Sequence, residues 1–181
     1  RRRTLVEEAG PARDIPLEAM IEREPITVIM SQRGWVRAMK SHVALDNPDA
    51  LKFKEGDGPR FIFHAQTTDK LLVAGDDGRF YTIGADKLPG GRGFGEPVRL
   101  LIDMSEGTGI TAFLSATGAG RLLLAASDGK GFIAKVEDVI AETRKGRQVV
   151  NVRAGAKLTI VRVIDTGHDY AAVVGENRKL V

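Results

Sequence analysis

Cysteine is absent from the 181 residues, and histidine is confined to His42, His64 and His168. Without thiolates there is no disulfide frame, iron–sulfur cluster or cysteine-held zinc, and three scattered histidines leave little from which to build a metal site. Apolar runs end after about five residues, far short of the roughly 20 that a membrane helix needs, and no signal peptide is readable. The expectation is a soluble, cytoplasmic chain without membrane contact. Helical periodicity is scarce, and only Val136 to Thr143 qualifies for a turn or two of helix. There is no Gly-x-Ser-x-Gly elbow, His-Glu-x-x-His pair or P-loop. Asp76, Asp77, Asp128 and Asp138 fall at turns and loop starts, where carboxylates satisfy backbone amides, and Tyr81 and Tyr170 fall inside expected strands. These absences leave no catalytic residue and no metal ligand to assign. The chain opens Arg1-Arg2-Arg3 without an initiator methionine and stops at Val181 in what reads as a strand, as expected of a piece of something longer.

What remains is a globular composition, 43% hydrophobic and 28% charged, sufficient to bury a core. The 27 basic and 24 acidic residues leave a net charge of only +3, with a pI near 9.3, so the placement of the cations matters more than their sum. Arg33, Arg37 and Lys40 fall between Ser31 and His42 with no acid among them, and Arg144, Lys145 and Arg147 form a second concentration.

Self-similarity organises the chain. Ile26-Thr-Val-Ile-Met-Ser-Gln-Arg-Gly34-Trp-Val-Arg37 lines up with Leu71 to Ile83, with Leu122 to Ile133 and, cut short, with Ala171 to Val181. Each is an apolar run, a small or polar turn and a second run. Anchor glycines at 34, 78 and 129 give a period of 44 to 51 residues, that of a propeller blade and not of a heptad or a helical repeat of about 34. Asp77-Gly78 and Asp128-Gly129 predict two-residue hairpins with type I′ turns; in the fourth unit Arg178 stands at the glycine position, and Asn177 becomes the left-handed residue. Val28, Phe80, Tyr81, Ile83, Phe132 and Ile133 are expected in the core, as is Trp35, although an aromatic there could also stack on a base. After each hairpin comes a loop and then another short strand: Ala44 to Lys54, Leu88 to Ile102 and Glu142 to Val152. Further β runs at Arg60–His64, Gly109–Leu114 and Lys157–Ile164 bring the count to about four strands per unit. The expected class is all-β, with residues 1–24 as an incoming linker and repeats near 25–62, 63–113, 114–164 and a truncated 165–181.

Gly91-Arg92-Gly93-Phe94-Gly95 lacks the following helix that a dinucleotide loop requires. It reads instead as an exposed basic loop whose glycines let one backbone approach another, with Arg92 free to meet phosphate.

Arg23 to His42 resembles the C-terminal domain of bacterial topoisomerase IV A subunits, kin of the gyrase A subunit. Arg2-Arg3-Thr4-Leu5-Val6-Glu7 resembles the segment leading into that domain, Leu88 to Pro97 resembles the topoisomerase IV pattern, and the likeness extends through the third unit, covering nearly the whole chain. The resemblance implies a β-pinwheel, here incomplete: a propeller-like disc of four-stranded blades that exchange strands, with DNA bent around a basic outer rim. It implies a parent heterotetramer of two A and two B subunits that passes one duplex through another, using ATP and magnesium bound outside this stretch, so that the chain itself holds no cofactor and no catalytic residue. Its part would be to guide the transported duplex during decatenation and relaxation. Gyrase carries a Gln-Arg-Arg-Gly-Gly-Lys-Gly box that Ser41 to Gly56 lacks, and the Gly-Gly-Arg-Gly of unit two is at most a degenerate relative, so the resemblance favours topoisomerase IV. A gyrase-type wrapping domain and a propeller-like protein-interaction module are the alternatives.

Bending duplex DNA by tens of degrees costs on the order of 1–6 kcal/mol, which many phosphate contacts along an arc must offset. The candidates are Arg33, Arg37 and Lys40 in unit one, Arg79, Lys87 and Arg92 in unit two, and Lys130, Arg144, Lys145 and Arg147 in unit three. Such contacts position DNA without reading bases, and six of them predict a log–log salt slope of about −5.

Overall fold

A computed structural model of the chain describes residues 16–46 and 51–164. The leading arginines, the fourth repeat, His168, Tyr170, Asn177 and Arg178 lie outside the described residues. Three hairpins appear where the repeat places them: β1 (Pro25–Ser31) with β2 (Trp35–Lys40), β4 (Lys70–Gly75) with β5 (Arg79–Gly84), and β8 (Arg121–Ala126) with β9 (Gly131–Lys135). Their turns differ from the expected type I′. Gly34, Gly78 and Gly129 lie at φ +81, +84 and +82, but neither Asp77 nor Asp128 has a positive φ. Each glycine N–H closes the turn onto the carbonyl three residues back, at Ser31, Gly75 and Ala126, so the left-handed residue follows an ordinary turn as the third residue of the loop. Asp77 and Asp128 instead accept the main-chain N–H two residues on, from Arg79 at 3.1 Å and Lys130 at 3.2 Å, the usual role of Asp in such turns.

On the other side of each hairpin's first strand runs a third: β3 (Pro59–Gln66), β7 (Ile110–Ser115) and β11 (Leu158–Ile164). Both β3 and β7 extend across the repeat boundaries placed at 62/63 and 113/114, because each pairs along its whole length with the hairpin before it. The fourth strand comes from the following unit. β6 (Glu96–Pro97) pairs with β2, and β10 (Arg147–Gln148) pairs with β5, giving sheet orders β3-β1-β2-β6 and β10-β5-β4-β7. The third sheet, β11-β8-β9, has three strands among the described residues. Among the described residues, helix is limited to α1 (Val136–Val139) and to short 3-10 turns at Leu17–Met20, Ala85–Lys87 and Val98–Leu100.

The sheets pack in series through two cores. Ile26, Val28, Met30 and Val36 of the first sheet meet Leu71, Val73, Tyr81 and Ile83 of the second. The opposite face of the second sheet, through Leu72, Ala74 and Phe80, meets Leu122, Leu124 and Ala134 of the third. This explains why Leu71 to Ala74 reads as an unbroken apolar run: both faces of β4 are buried, so no polar alternation is selected. β8, covered on one face, alternates between buried and half-buried residues. Val28, Phe80, Tyr81 and Ile83 are buried as expected. Phe132 and Ile133 are not, being 45% and 53% exposed. They lie on β9, whose outer edge carries no partner strand among the described residues, whereas β6 and β10 seal β2 and β5.

Candidate nucleic-acid interface

The two crossover loops that deliver β6 and β10 carry four of the ten candidate cations, Arg92 on the first and Arg144, Lys145 and Arg147 on the second. The first lies along the outer edge of β2: Ala38 N–H donates to Pro89 O at 2.9 Å, Ala38 bridges Gly90, Glu96 and Pro97 pair with Val36 and Trp35, and Val98 N–H donates to Gly34 O at 2.9 Å. The second lies along β5 in the same way, from Ala141 N–H on Thr82 Oγ1 at 2.9 Å to Val150 N–H on Gly78 O at 3.1 Å. Close approach requires glycine at one point in each. Gly95 (φ +84) presses on the main chain of Val36, and a Cβ at Gly146 (φ +70) would stand 2.5 Å from Phe80 O. The glycine-rich loop of unit two therefore belongs, in space, to the rim of the first sheet.

Ten candidates divide according to what their side chains do. Arg37 is overturned as a rim residue. It is 4% exposed, and its guanidinium donates to Gly93 O and, at 2.7 Å, to Lys52 O while lying 5.4 Å from the Phe53 ring. Burial lowers its pKa from the ordinary arginine value. It clamps the first crossover loop against β2. Arg79 does the same for the second: half-buried, it donates to Lys145 O at 2.7 Å. Arg144 and Arg147 are exposed but anchored, Arg144 to Leu100 O at 2.7 Å and 3.7 Å from Asp103, Arg147 to Asp138 O at 2.8 Å. Lys40, Lys87, Arg92, Lys130 and Lys145 are exposed, and Arg33 is exposed at the first hairpin tip, its main-chain N–H on Asp57 Oδ1 at 3.1 Å.

Lys40 and Arg92 come together across a groove of about 470 Å³ with Ala38, Met39, Gly90 and Gly91. An adjoining groove of about 260 Å³ adds Lys52 and Phe94. Lys52 and Lys54 were not singled out in the sequence. The signal was present, since Ala44 to Lys54 is the loop of unit one that corresponds to the basic loops of units two and three. Lys54 Nζ sits 3.6 Å over the ring of Trp35, which is half-buried on the outer strand and not in the core. Lys87 stands on the turn after β5, in a groove with Ile140, Ala141 and Glu142 at the start of the second crossover, and Lys130 lies in the turn of the third hairpin, away from both loops.

His42 and His64, distant in sequence, stack at 4.4 Å and each places Nε2 near a main-chain oxygen, of Ala65 and Val43. Among the described residues no group of three or more potential metal ligands forms. Tyr81 is buried with no partner for its hydroxyl, and burial raises its pKa. Among the same residues no helix is long and apolar enough to cross a membrane.

No family model matches the chain. Curated relatives do. It is 44% identical over 169 residues to the DNA topoisomerase 4 A subunit of Caulobacter vibrioides, covering 93% of this chain and 22% of that protein. It is 41% identical over 183 residues to the same protein of Rickettsia felis, covering 99% and 24%. The chain thus spans about a quarter of the length of these relatives. Among solved structures, the Escherichia coli ParC C-terminal domain aligns with a TM-score of 0.73 at 30% identity, over 79% of this chain and 58% of that one. A DNA gyrase A C-terminal domain shares the fold at a TM-score of 0.54 and 17% identity, over 78% and 48%. Repeated hairpins, strands passed from each unit to the sheet before it, and kinship along almost the whole chain lead to one assignment: the chain belongs to the family of DNA topoisomerase IV A subunits and forms part of their C-terminal β-pinwheel domain.

Proposed function

We propose that the chain binds and bends duplex DNA along the outer edges of its sheets, and so guides the duplex transported by a type IIA topoisomerase. The observation that carries the reading is the repetition: successive sheets each present, on the outer edge, a crossover loop bearing exposed cations, Arg92 beside Lys40 and Lys52 on the first, Lys145 with Arg147 on the second. Phosphate contacts spaced along an arc hold a bent duplex without reading its bases. In this reading the fragment performs no chemistry. ATP and magnesium act elsewhere in a cytoplasmic heterotetramer of two A and two B subunits, and the parent decatenates and relaxes DNA.

Duplex binding followed by fluorescence anisotropy over a salt series tests the reading. Steep loss of affinity with salt, similar on unrelated sequences, is the expected result; affinity indifferent to salt refutes it.

A further inference from the structure

We propose that Phe94 is an apolar wedge, which the first crossover loop inserts between stacked base pairs of a bound duplex to kink it at the first sheet. The inference rests on the reading of the rim as a DNA surface. A single exposed phenylalanine is ordinary on a protein surface; the way this one is held is not. Phe94 is 44% exposed and stands on an arch pinned on both sides to β2, by Ala38 N–H on Pro89 O on one side and by the Arg37 guanidinium on Gly93 O and the close packing of Gly95 on Val36 on the other. Gly91 adds to the pinning, since a Cβ there would stand 2.6 Å from Met39 Cγ. A side chain held on an immobilised arch loses little further freedom on insertion.

Charge and repeat position both point this ring toward DNA. The two grooves flanking the arch are lined by Lys40, Lys52 and Arg92 and by no acidic residue, so three cations draw phosphate toward Phe94 against the one exposed carboxylate nearby in sequence, Glu96. In the second crossover loop, Gly146 matches Gly95: each has a positive φ, each packs on the preceding sheet's outer strand, and the residue after each pairs with that strand, Glu96 with Val36 and Arg147 with Phe80. Phe94 therefore occupies the position that Lys145 holds in the next unit, where the side chain is an exposed cation. The fold aims this position outward in both units and fills it once with a cation and once with an aromatic ring. Apolar wedges of this kind unstack a base step and bend the helix away from the point of insertion, the unstacking cost being offset by the longer arc of contacts that the bend permits. The consequence is a localised kink at the first sheet followed by phosphate tracking at the second.

The test is a set of duplexes carrying 2-aminopurine at successive positions, including flexible TA steps, with dyes at the two ends to report bending. For the unaltered full chain, 2-aminopurine fluorescence rises at a step within the footprint and the ends draw together. Phe94→Ala abolishes the rise, straightens the duplex and weakens binding about tenfold. Phe94→Lys, which copies the second unit, keeps affinity within a few-fold but loses both the rise and the localised bend. Melting of either variant stays within a few degrees of the parent chain, because Phe94 is 44% exposed and lies outside both hydrophobic cores. The proposal is overturned if the unaltered chain binds duplex with no 2-aminopurine response at any position, or if Phe94→Ala leaves bend and response intact. Absence of binding even at low salt overturns the rim reading, and the wedge with it.

Discussion

Replacing Arg37 by alanine separates a clamp from a phosphate ligand. Its side chain lies at 4% exposure and donates to the carbonyls of Gly93 and Lys52. A hydrogen bond from a charged donor contributes about 1.5–3 kcal/mol, and the Phe53 ring at 5.4 Å adds up to about 1 kcal/mol. Relief of the buried charge returns part of this, leaving a net loss of about 2–4 kcal/mol, with both carbonyls unsatisfied. For a chain of this size that lowers Tm by roughly 4–16 °C. Arg37→Lys behaves similarly, since one ammonium cannot span two carbonyls on opposite sides as a planar fork does. Differential scanning calorimetry reads the stability, and anisotropy at several salt concentrations, taken well below the melting range, reads the number of phosphates engaged. A large fall in Tm with an unchanged salt slope is the expected result. An unchanged Tm with a slope shallower by about one would make Arg37 a phosphate ligand and refute the clamp.

Gly146→Ala, with its positive φ and a Cβ 2.5 Å from Phe80 O, costs more than about 2 kcal/mol in denaturant melts, whereas Gly118→Ala, at φ +80 in open space, costs about 1 kcal/mol; equal costs would mean that the crossover does not depend on close approach. Asp103→Asn removes an acid 3.7 Å from Arg144 at an exposed site; stability stays within about 0.5 kcal/mol while duplex affinity at low salt rises. At Asp57, desolvation acts to raise the pKa, but hydrogen bonds from Ser31, Gly58 and Arg33 and the Arg33 charge outweigh it and lower it. A carboxylate depressed in the folded state contributes stability above its unfolded pKa, near 3.9, and loses it as pH falls through the lower folded value. Asp57→Asn therefore flattens that portion of an acid melting profile, and an unchanged profile would show the hydrogen bonds to be without consequence.

The hairpins were legible because their signals are local: apolar runs of strand length around Asp-Gly or Arg-Gly. Turn type was not, since the same dipeptide serves a two-residue and a three-residue loop, and only the hydrogen bond from Gly78 to Gly75 decides between them. The exchanged strands were legible as short strands within Leu88 to Ile102 and Glu142 to Val152, but the residues did not tell which strands they pair with. Glu96–Pro97 and Arg147–Gln148 are two residues each, with no alternation to read, and their pairing lies with residues some 60 positions earlier. The placement of Gly95 and Gly146, spaced like the anchors Gly78 and Gly129, was a further trace of them in the sequence. Arg37 reads as a surface cation because a charged residue in a strand is usually on the solvent face. Its burial follows from two segments remote in sequence, 51–54 and 89–95, that close over that face.

The central claim is that the outer edges of successive sheets hold DNA phosphates. Its most direct test is the salt dependence of duplex affinity for the unaltered chain and for the triple variant Lys40→Ala, Arg92→Ala, Lys145→Ala, whose side chains are exposed and whose loss leaves the clamps intact. The account predicts a log–log slope of about −5 that becomes shallower by about 3 in the variant, with Tm unchanged. A slope near zero, or one identical in the two proteins, would contradict it.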